Sequence, residues 1–241
     1  MFLGFFIGFK YIFIAGKLQK CYFFGVNANS QKLLLEKSAR YMRFVRFCPF
    51  VRLVAVCNNV AMGRAHENSD IDLFFVIKSS RLFTGRFLAT LLFHLLGVRR
   101  YGNKISKRFC LSFFVDENEL NLKKIAIQND YYLAYWLKTL IPFIDKGVLE
   151  KLESQNQWIP DLKITREYLI PSKTTFLEKL FPNFLENFLA NWQKKRALKK
   201  MNGLPRPHGV IVTDHMLKFH DVDKREVLRE EMKIISGISF E

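Results

Sequence analysis

The sequence is poor in the residues that break or link folded units. It has 12 glycines and 7 prolines in 241 residues, and it shows no low-complexity tract or short repeat. Long flexible linkers, collagen-like segments and repeat arrays are therefore excluded. With 49% hydrophobic and 25% charged residues, the chain has the composition of one large or two small packed domains.

Cysteine and histidine are also scarce. The four cysteines form no CxxC pair, no histidine stands at ligand spacing to them, and the five histidines form no HExxH pattern. The sequence therefore predicts neither a disulfide framework nor a structural zinc site. Cys57 and Cys110 lie inside apolar runs and are interpreted as small buried side chains, which fits a reducing, cytoplasmic setting.

Acidic residues are rare in the first half of the chain. Residues 1–109 contain 18 basic and 4 acidic residues, a net charge of +14 out of +16 for the whole chain. Such a field favours polyanions, namely nucleoside triphosphates, nucleic acid or an anionic membrane surface. The charge does not choose among these, and a basic surface that serves only solubility stays open.

The apolar N-terminal segment, residues 1–28, begins with a run that is interrupted only by Lys10. Fourteen residues, 1–14, are too few to cross about 30 Å of hydrocarbon as a helix. No basic region precedes the run, and no clear small-residue cleavage site follows it. Three interpretations stay open: a strand or helix packed on the core, an interfacial membrane anchor assisted by Lys17 and Lys20, or an irregular start caused by truncation or a misplaced start codon.

The remaining pattern predicts an α/β domain followed by a helical region. The predicted order is a helix, two strands in a hairpin-like unit, a helix and a third strand, over residues 29–46, 50–56, 70–77, 81–96 and 109–115. From about residue 125 the pattern turns helical. Helices are predicted around 129–141, 145–154, 175–201 and 222–235, with a strand at 210–213. We therefore divide the chain into a domain at 29–125 and a mainly helical region at 126–241.

Two aspartates at the start of the second strand carry the most specific chemistry. Asp70 and Asp72 are two residues apart, so in a strand they project from the same face. Two carboxylates this close repel each other unless a cation lies between them. Oxygen ligands of this kind suit Mg²⁺, which binds one or two carboxylates and completes its shell with water and substrate phosphates.

The sequence around these aspartates resembles a known family. The run VAVCNNVAMGRAHENSDIDLFFVI, residues 54–77, resembles the signature of the DNA polymerase β-like nucleotidyltransferase superfamily. That signature is a strand, a Gly-Ser turn leading a short helix, and a strand that starts with Asp-x-Asp. The resemblance covers about residues 30–125. Less securely, Asn156-Gln157-Trp158 and the run LKFHDVD at 217–223 are similar to bacterial nucleotidyltransferase-like proteins.

The resemblance implies a small mixed sheet flanked by helices and a transfer reaction. A nucleoside monophosphate would move from a triphosphate such as ATP to a hydroxyl of an acceptor, which could be a small molecule, a nucleic acid or a protein. Asp70 and Asp72 would hold Mg²⁺, with a two-ion site as one arrangement. The nucleotide's phosphates would be bound at the turn by Asn58 and Asn59 and in the following loop by Ser69. Arg64, on the same loop, is a candidate phosphate contact by its charge and position only.

Two departures from the family pattern leave a second hypothesis open. Asn58 and Asn59 stand where the family has Gly-Ser, and no third carboxylate is evident on the neighbouring strand. Ser112 occupies the middle of that strand. Asp116 lies about 13 Å further along and is interpreted as a polar residue at the strand's end. The alternative is therefore a catalytically degenerate protein of the same fold that binds nucleic acid, a partner protein or a membrane.

Three other groups have two interpretations each. The basic connector at 99–108 is either a solvated loop or a contact for phosphate or acceptor. The basic stripe at 194–200 is either a solvated helix face or part of a nucleic-acid groove. The aromatic residues at 131–136, with Trp158, form either core packing or a platform on which a base stacks. The acceptor and the oligomeric state are not predicted.

Overall fold

The structure, a computed structural model, describes residues 10–14, 17–21, 28–201, 209–219 and 225–240. The helices are α1 Ala28–Val45, α2 Asn58–Ala61, α3 Leu82–Leu95, α4 Tyr131–Lys138, α5 Leu149–Gln155, α6 Asn183–Met201 and α7 Arg229–Ser236. The strands are β1 Lys10–Ile14, β2 Lys17–Cys21, β3 Val51–Cys57, β4 Ile71–Ile77, β5 Phe109–Asp116, β6 Ile141–Asp145, β7 Val210–Val212 and β8 Met216–Phe219. Two short 3₁₀ segments lie at Leu122–Ile125 and Phe176–Leu180.

Six strands form one mixed, open sheet in the order β6-β3-β4-β5-β8-β7. β4 and β5 run parallel, and every other neighbouring pair is antiparallel. The β4–β5 connection is a crossover through α3, as a parallel pair requires. The mixed α/β class and the antiparallel pairing of the first two predicted strands are confirmed.

The sheet has helices on both faces, and strand alternation explains how. In β4 the side chains of Ile71, Leu73, Phe75 and Ile77 belong to a core shared with α1, α3 and α6. Phe74 and Val76 point to the other core, which α4, α5 and α7 cover. A strand buried on both sides has a continuous apolar sequence, as β4 does after Asp72.

The chain after residue 125 contributes more to this sheet than the pattern predicts. β6 lies between two predicted helices and forms one edge of the sheet, while β8 and β7 extend the other side. Pro142 lies inside β6, where an edge position tolerates the missing N–H. The region 126–241 therefore supplies three strands as well as helices. The sheet includes strands from both sides of residue 125.

Two predicted helices in the second half also differ from the structure. The segment predicted at 175–201 is a 3₁₀ turn followed by α6, and Pro182 separates the two. Within 222–235 the described helix begins at Arg229, and residues 222–224 lie outside the described part of the chain.

Of the apolar N-terminal segment, the structure describes one antiparallel strand pair. β1 and β2 pair with each other from Lys10 opposite Cys21 to Ile14 opposite Lys17, and they form a separate two-stranded sheet. Within the described ranges, none of the helices combines the length and the apolar character that crossing a bilayer needs.

Candidate metal centre

The start of β4 gathers three side chains that could ligate a metal. Asp72 lies opposite Cys57 of β3 on one side and opposite Cys110 of β5 on the other. Asp70 precedes the strand by one residue. One ligand atom each from Asp70, Asp72 and Cys110 lie within 4.8 Å of one another. The predicted pair of aspartates is therefore joined by a thiol from the neighbouring parallel strand.

Asp72 is held in a partly apolar setting by hydrogen bonds. Burial, and then the negative charge of Asp70, raise the pKa of Asp72 to about 6. Hydrogen bonds with Asn58 and Cys110 act in the opposite direction. Asn58 in turn accepts a hydrogen bond from Trp136 Nε1 at 2.8 Å. The hydrogen bonds from Trp136 to Asn58 and from Asn58 to Asp72 thus fix the Asp72 carboxylate near the start of β4.

Asn58 also accounts for the sharp turn from β3 into α2. Its φ is 56°, in the left-handed region that asparagine tolerates better than most residues. Its carbonyl oxygen accepts from the N–H of Met62 at 2.8 Å, which closes the short helix. Since its side-chain oxygen is bonded to Trp136, Asn58 is placed to position Asp72 as well as to shape the turn.

Asp70 has a cationic partner of its own. Arg100 Nη1 lies 2.5 Å from Asp70 Oδ2 and 3.8 Å from Cys110 Sγ. Arg100 belongs to the basic connector, so one residue of that loop contacts the site. Its guanidinium offsets part of the repulsion between the two carboxylates when no metal is bound.

Cys110 is a neutral thiol in this setting. Burial, and then the charge of Asp72, raise the pKa of the Cys110 thiol to about 12. A neutral thiol is a weak ligand for a hard cation, whereas Asp70 and Asp72 offer the carboxylate oxygens that suit Mg²⁺. The residues present therefore fit a cation held by two carboxylates, and nothing in the set identifies Mg²⁺ over another divalent ion.

The two residues considered for a third carboxylate position lie elsewhere. Ser112 is buried at an irregularity in the β4–β5 register, where it hydrogen bonds with Cys110. Asp116 pairs with Ile77 at the opposite end of β4, roughly 17 Å from Asp72 at the usual strand rise. It is fully buried, 2.9 Å from His215 Nδ1. Among the described residues, Cys110 is the third member of the group.

The predicted phosphate-binding residues are spread over the loop between α2 and β4. Asn59 is exposed, and its carbonyl oxygen accepts from the N–H of Arg64 at 2.7 Å. Arg64 lies 4.0 Å from Glu231 of α7. Ser69 is buried, and its hydroxyl accepts from the N–H of His66 at 2.9 Å. Only Asn58, of the four predicted phosphate contacts, is hydrogen bonded to a member of the metal group.

Sequence reasoning missed Cys110, Arg100 and Trp136 as parts of this site. Cys110 would follow from pairing the predicted third strand in parallel with the second, so that its second residue faces Asp72. Arg100 is one of several basic residues in the connector at 99–108, and only the loop geometry decides which of their side chains reaches Asp70. The indole of Trp136 comes from a helix 64 positions after Asp72, and no local pattern in the sequence connects the two.

Comparison of the chain with models of known protein families and with curated proteins finds no match.

Proposed function

We propose that the protein is a divalent-metal-dependent nucleotidyltransferase, which moves a nucleoside monophosphate from a triphosphate to a hydroxyl of an acceptor. The observation that carries the proposal is the grouping of Asp70 and Asp72 at the start of β4, beside the turn from β3 into α2. The sequence resemblance of residues 54–77 supports it. So does the strongly basic first half of the chain, which favours a polyanionic substrate.

Each residue of the site has a role in this proposal. Asp70 and Asp72 hold the cation, and Mg²⁺ is the ion that the resemblance implies. The bound cation would neutralise charge on the transferring phosphoryl group. Trp136 and Asn58 fix the orientation of Asp72, and outer hydrogen bonds of this kind tune ligand affinity. Arg100 balances the carboxylates before the cation binds.

The test is a calorimetric titration of the purified protein with each of the four ribonucleoside triphosphates, with and without Mg²⁺. We expect binding that requires the metal and that is lost in the variant carrying Asp70→Asn and Asp72→Asn. Glu67→Gln is a matched control, because Glu67 is an exposed acidic residue of the loop before Asp70. Binding that is absent from a folded wild-type protein, or that both variants weaken equally, contradicts the proposal.

One observation favours the degenerate alternative. Arg100 already donates a hydrogen bond to a carboxylate oxygen of Asp70. The third member of the metal group is the thiol of Cys110, which lacks the negative charge that a third carboxylate would supply. A protein of this kind would bind nucleic acid, a partner protein or a membrane through its basic surface without transfer. It predicts that the folded wild-type protein shows no metal-dependent binding of triphosphates, which distinguishes it in the same titration.

A further inference from the structure

A group of arginine side chains lies on the opposite face of the sheet from Asp72. Arg86 of α3 stacks over two rings of the core on that side, with its guanidinium carbon 4.8 Å from the ring centre of Phe219 and 5.7 Å from that of Phe114. Its Nη1 donates to Gln193 Oε1 of α6. Its Nε is buried and has no hydrogen-bond partner. A buried donor without an acceptor can be satisfied by a ligand or water, and the Nε atoms of Arg46 and Arg229 are in the same state.

Two more arginines surround Arg86. Arg196 lies three residues beyond Gln193 on α6, where its guanidinium carbon is 5.6 Å from the ring centre of Trp192. Arg99 lies opposite Phe109 in an isolated bridge at the start of β5. Burial, and then the charges of Arg99 and Arg196, lower the pKa of Arg86 to about 10. The positive charges of Arg99 and Arg196 therefore act on Arg86, whose own guanidinium lies against aromatic rings.

No carboxylate in the described ranges 28–199, 209–219 and 225–240 forms an ion pair with any of these three arginines. Two other shielded arginines among the described residues are paired: Arg52 with Glu178, and Arg225 with Asp130. Like charges at short range disfavour one another unless an anion lies between them. The arginine cluster therefore has the charge and the open donor that an anionic ligand would satisfy.

The arginine cluster and the metal centre lie on opposite faces of the sheet and are connected through the start of β5. Arg99 directly precedes Arg100, which bonds Asp70, and Phe109 directly precedes Cys110. The pairing of β5 with β8 runs from Val115 to Phe113 and does not include Cys110 or Leu111. Phe109, which pairs with Arg99, and Cys110, which lies opposite Asp72, are therefore neighbours in β5 and face opposite sides of the sheet.

We propose that Arg86, Arg99 and Arg196 bind a phosphate group on the face of the sheet opposite Asp72. Guanidinium groups present planar forks of N–H donors that match phosphate oxygens, and they stay charged when partly buried. Under the proposed function, that phosphate belongs either to the tail of the nucleoside triphosphate or to a phosphorylated acceptor. The binding site itself rests on the arginine cluster alone, and only its part in a reaction depends on nucleotidyl transfer.

The experiment is a titration with inorganic pyrophosphate in the absence of divalent metal, at moderate and constant ionic strength. Arg99→Gln and Arg196→Gln remove one charge each at partly or fully exposed positions, so the fold is expected to survive. Arg43→Gln is the matched control, because Arg43 is an exposed arginine on α1 outside the cluster. We expect each cluster variant to weaken pyrophosphate binding by roughly tenfold and the control to leave it unchanged.

Two results would overturn the inference: no pyrophosphate binding by the folded wild-type protein, or equal weakening by all three variants. Arg86→Lys adds a test of geometry, since it keeps the charge but removes the fork; retention of full affinity in this variant also speaks against the inference. Circular dichroism spectra of the variants establish that each is folded before its titration is interpreted.

A further titration identifies the molecule that carries the phosphate and tests the arginine cluster independently of the proposed function. If pyrophosphate competes with ATP in the presence of Mg²⁺, the cluster binds the nucleotide's own tail; if the two bind together, it binds the acceptor, and either result supports the site. Asp72→Asn is expected to keep metal-free pyrophosphate binding. Loss of metal-dependent ATP binding with pyrophosphate binding intact would therefore reject the proposed function and leave the arginine cluster standing.

Discussion

Replacing Asp72 with asparagine should stabilise the metal-free protein at neutral and alkaline pH. Burial and the neighbouring charge of Asp70 raise the pKa of Asp72 from its ordinary value of 3.8 to about 6. A carboxyl whose folded-state pKa is raised favours folding only while it is protonated. As the pH rises from about 4 to about 6, the unfolded chain loses this proton first, so the free energy of unfolding falls across that window.

The size of the effect follows from the shift. A difference of about two pKa units corresponds to about 3 kcal/mol, taken as an upper value because Asp72 is only partly shielded from solvent. Asparagine has a similar shape and no charge, so the variant avoids this penalty above pH 6. It can still present an oxygen to the Asn58 amide. We expect it to gain about 1 to 3 kcal/mol at pH 8 and almost nothing at pH 4.

Urea unfolding at pH 4, 6 and 8 in the presence of a chelator measures the free energy directly. Glu67→Gln is again the control, and it should leave the pH profile unchanged. Adding Mg²⁺ at pH 8 should stabilise the wild type and not the variant, because a ligand of the native state shifts the folding equilibrium. A variant that is less stable than wild type at pH 8 in chelator would refute the reasoning about Asp72.

Three further changes test other parts of the molecule. Glu178→Gln removes the closer of the two carboxylates that pair with the buried Arg52 and leaves only Glu117 at 3.9 Å, which should reduce the free energy of unfolding by about 3 kcal/mol in urea at pH 7. Burial by itself would raise the pKa of Glu178, but hydrogen bonds and charge from Arg52 lower it to about 2, so the wild type should lose stability between pH 4.5 and 2 and the variant should not. Gly85→Ala places a Cβ 2.4 Å from Ile77 Cγ2, and this clash should outweigh a helix gain of about 1 kcal/mol and lower the Tm in calorimetry by an amount equivalent to about 1 to 3 kcal/mol. Cys110→Asp supplies a third carboxylate within 4.8 Å of the other two, which should tighten Mg²⁺ binding at least about tenfold in a titration, whereas Cys110→Ser should not.

Each of these expectations has an outcome that contradicts it. An acid-unfolding profile that is the same for wild type and Glu178→Gln would remove the ion pair with Arg52 as its cause. A Gly85→Ala protein with a raised Tm would mean that Ile77 moves aside freely. Equal Mg²⁺ affinities for the Cys110→Asp and Cys110→Ser proteins would place the cation away from β5.

Local patterns predicted those parts of the fold in which apolar residues recur clearly at the spacing of a helix or a strand. Helix α1, strand β3, strand β4, helix α3 and strand β5 lie within two residues of their predicted ends. These elements are long or strongly apolar, and a proline or a glycine follows each of the two helices within four residues. Strand β6 was missed because five residues that include Pro142 carry too little alternation to outweigh the helical segments on either side.

The same limit applies to the site. Asp70 and Asp72 are adjacent in sequence, so a single strand rule brings them together without any knowledge of the fold. Cys110, Arg100 and Trp136 join them through pairing register, loop conformation and helix packing, respectively. None of these is a local property of the sequence. Asp116, considered for a third carboxylate on β5, lies opposite Ile77, whereas Cys110 is the residue of β5 that lies opposite Asp72.

The arrangement around Asp72 links stability to binding in a consistent way. The protein keeps two close carboxylates at the start of β4, where burial and then their repulsion raise the pKa of Asp72, and Arg100 offsets only part of the charge. An unfavourable charge that packing could have removed is more often found at a functional site than in a structural core. On the other face, Arg86, Arg99 and Arg196 present the reverse case, with positive charge that no described carboxylate balances. A bound divalent cation would relieve the first imbalance and a bound phosphate group the second, so each site can be tested with its own ligand.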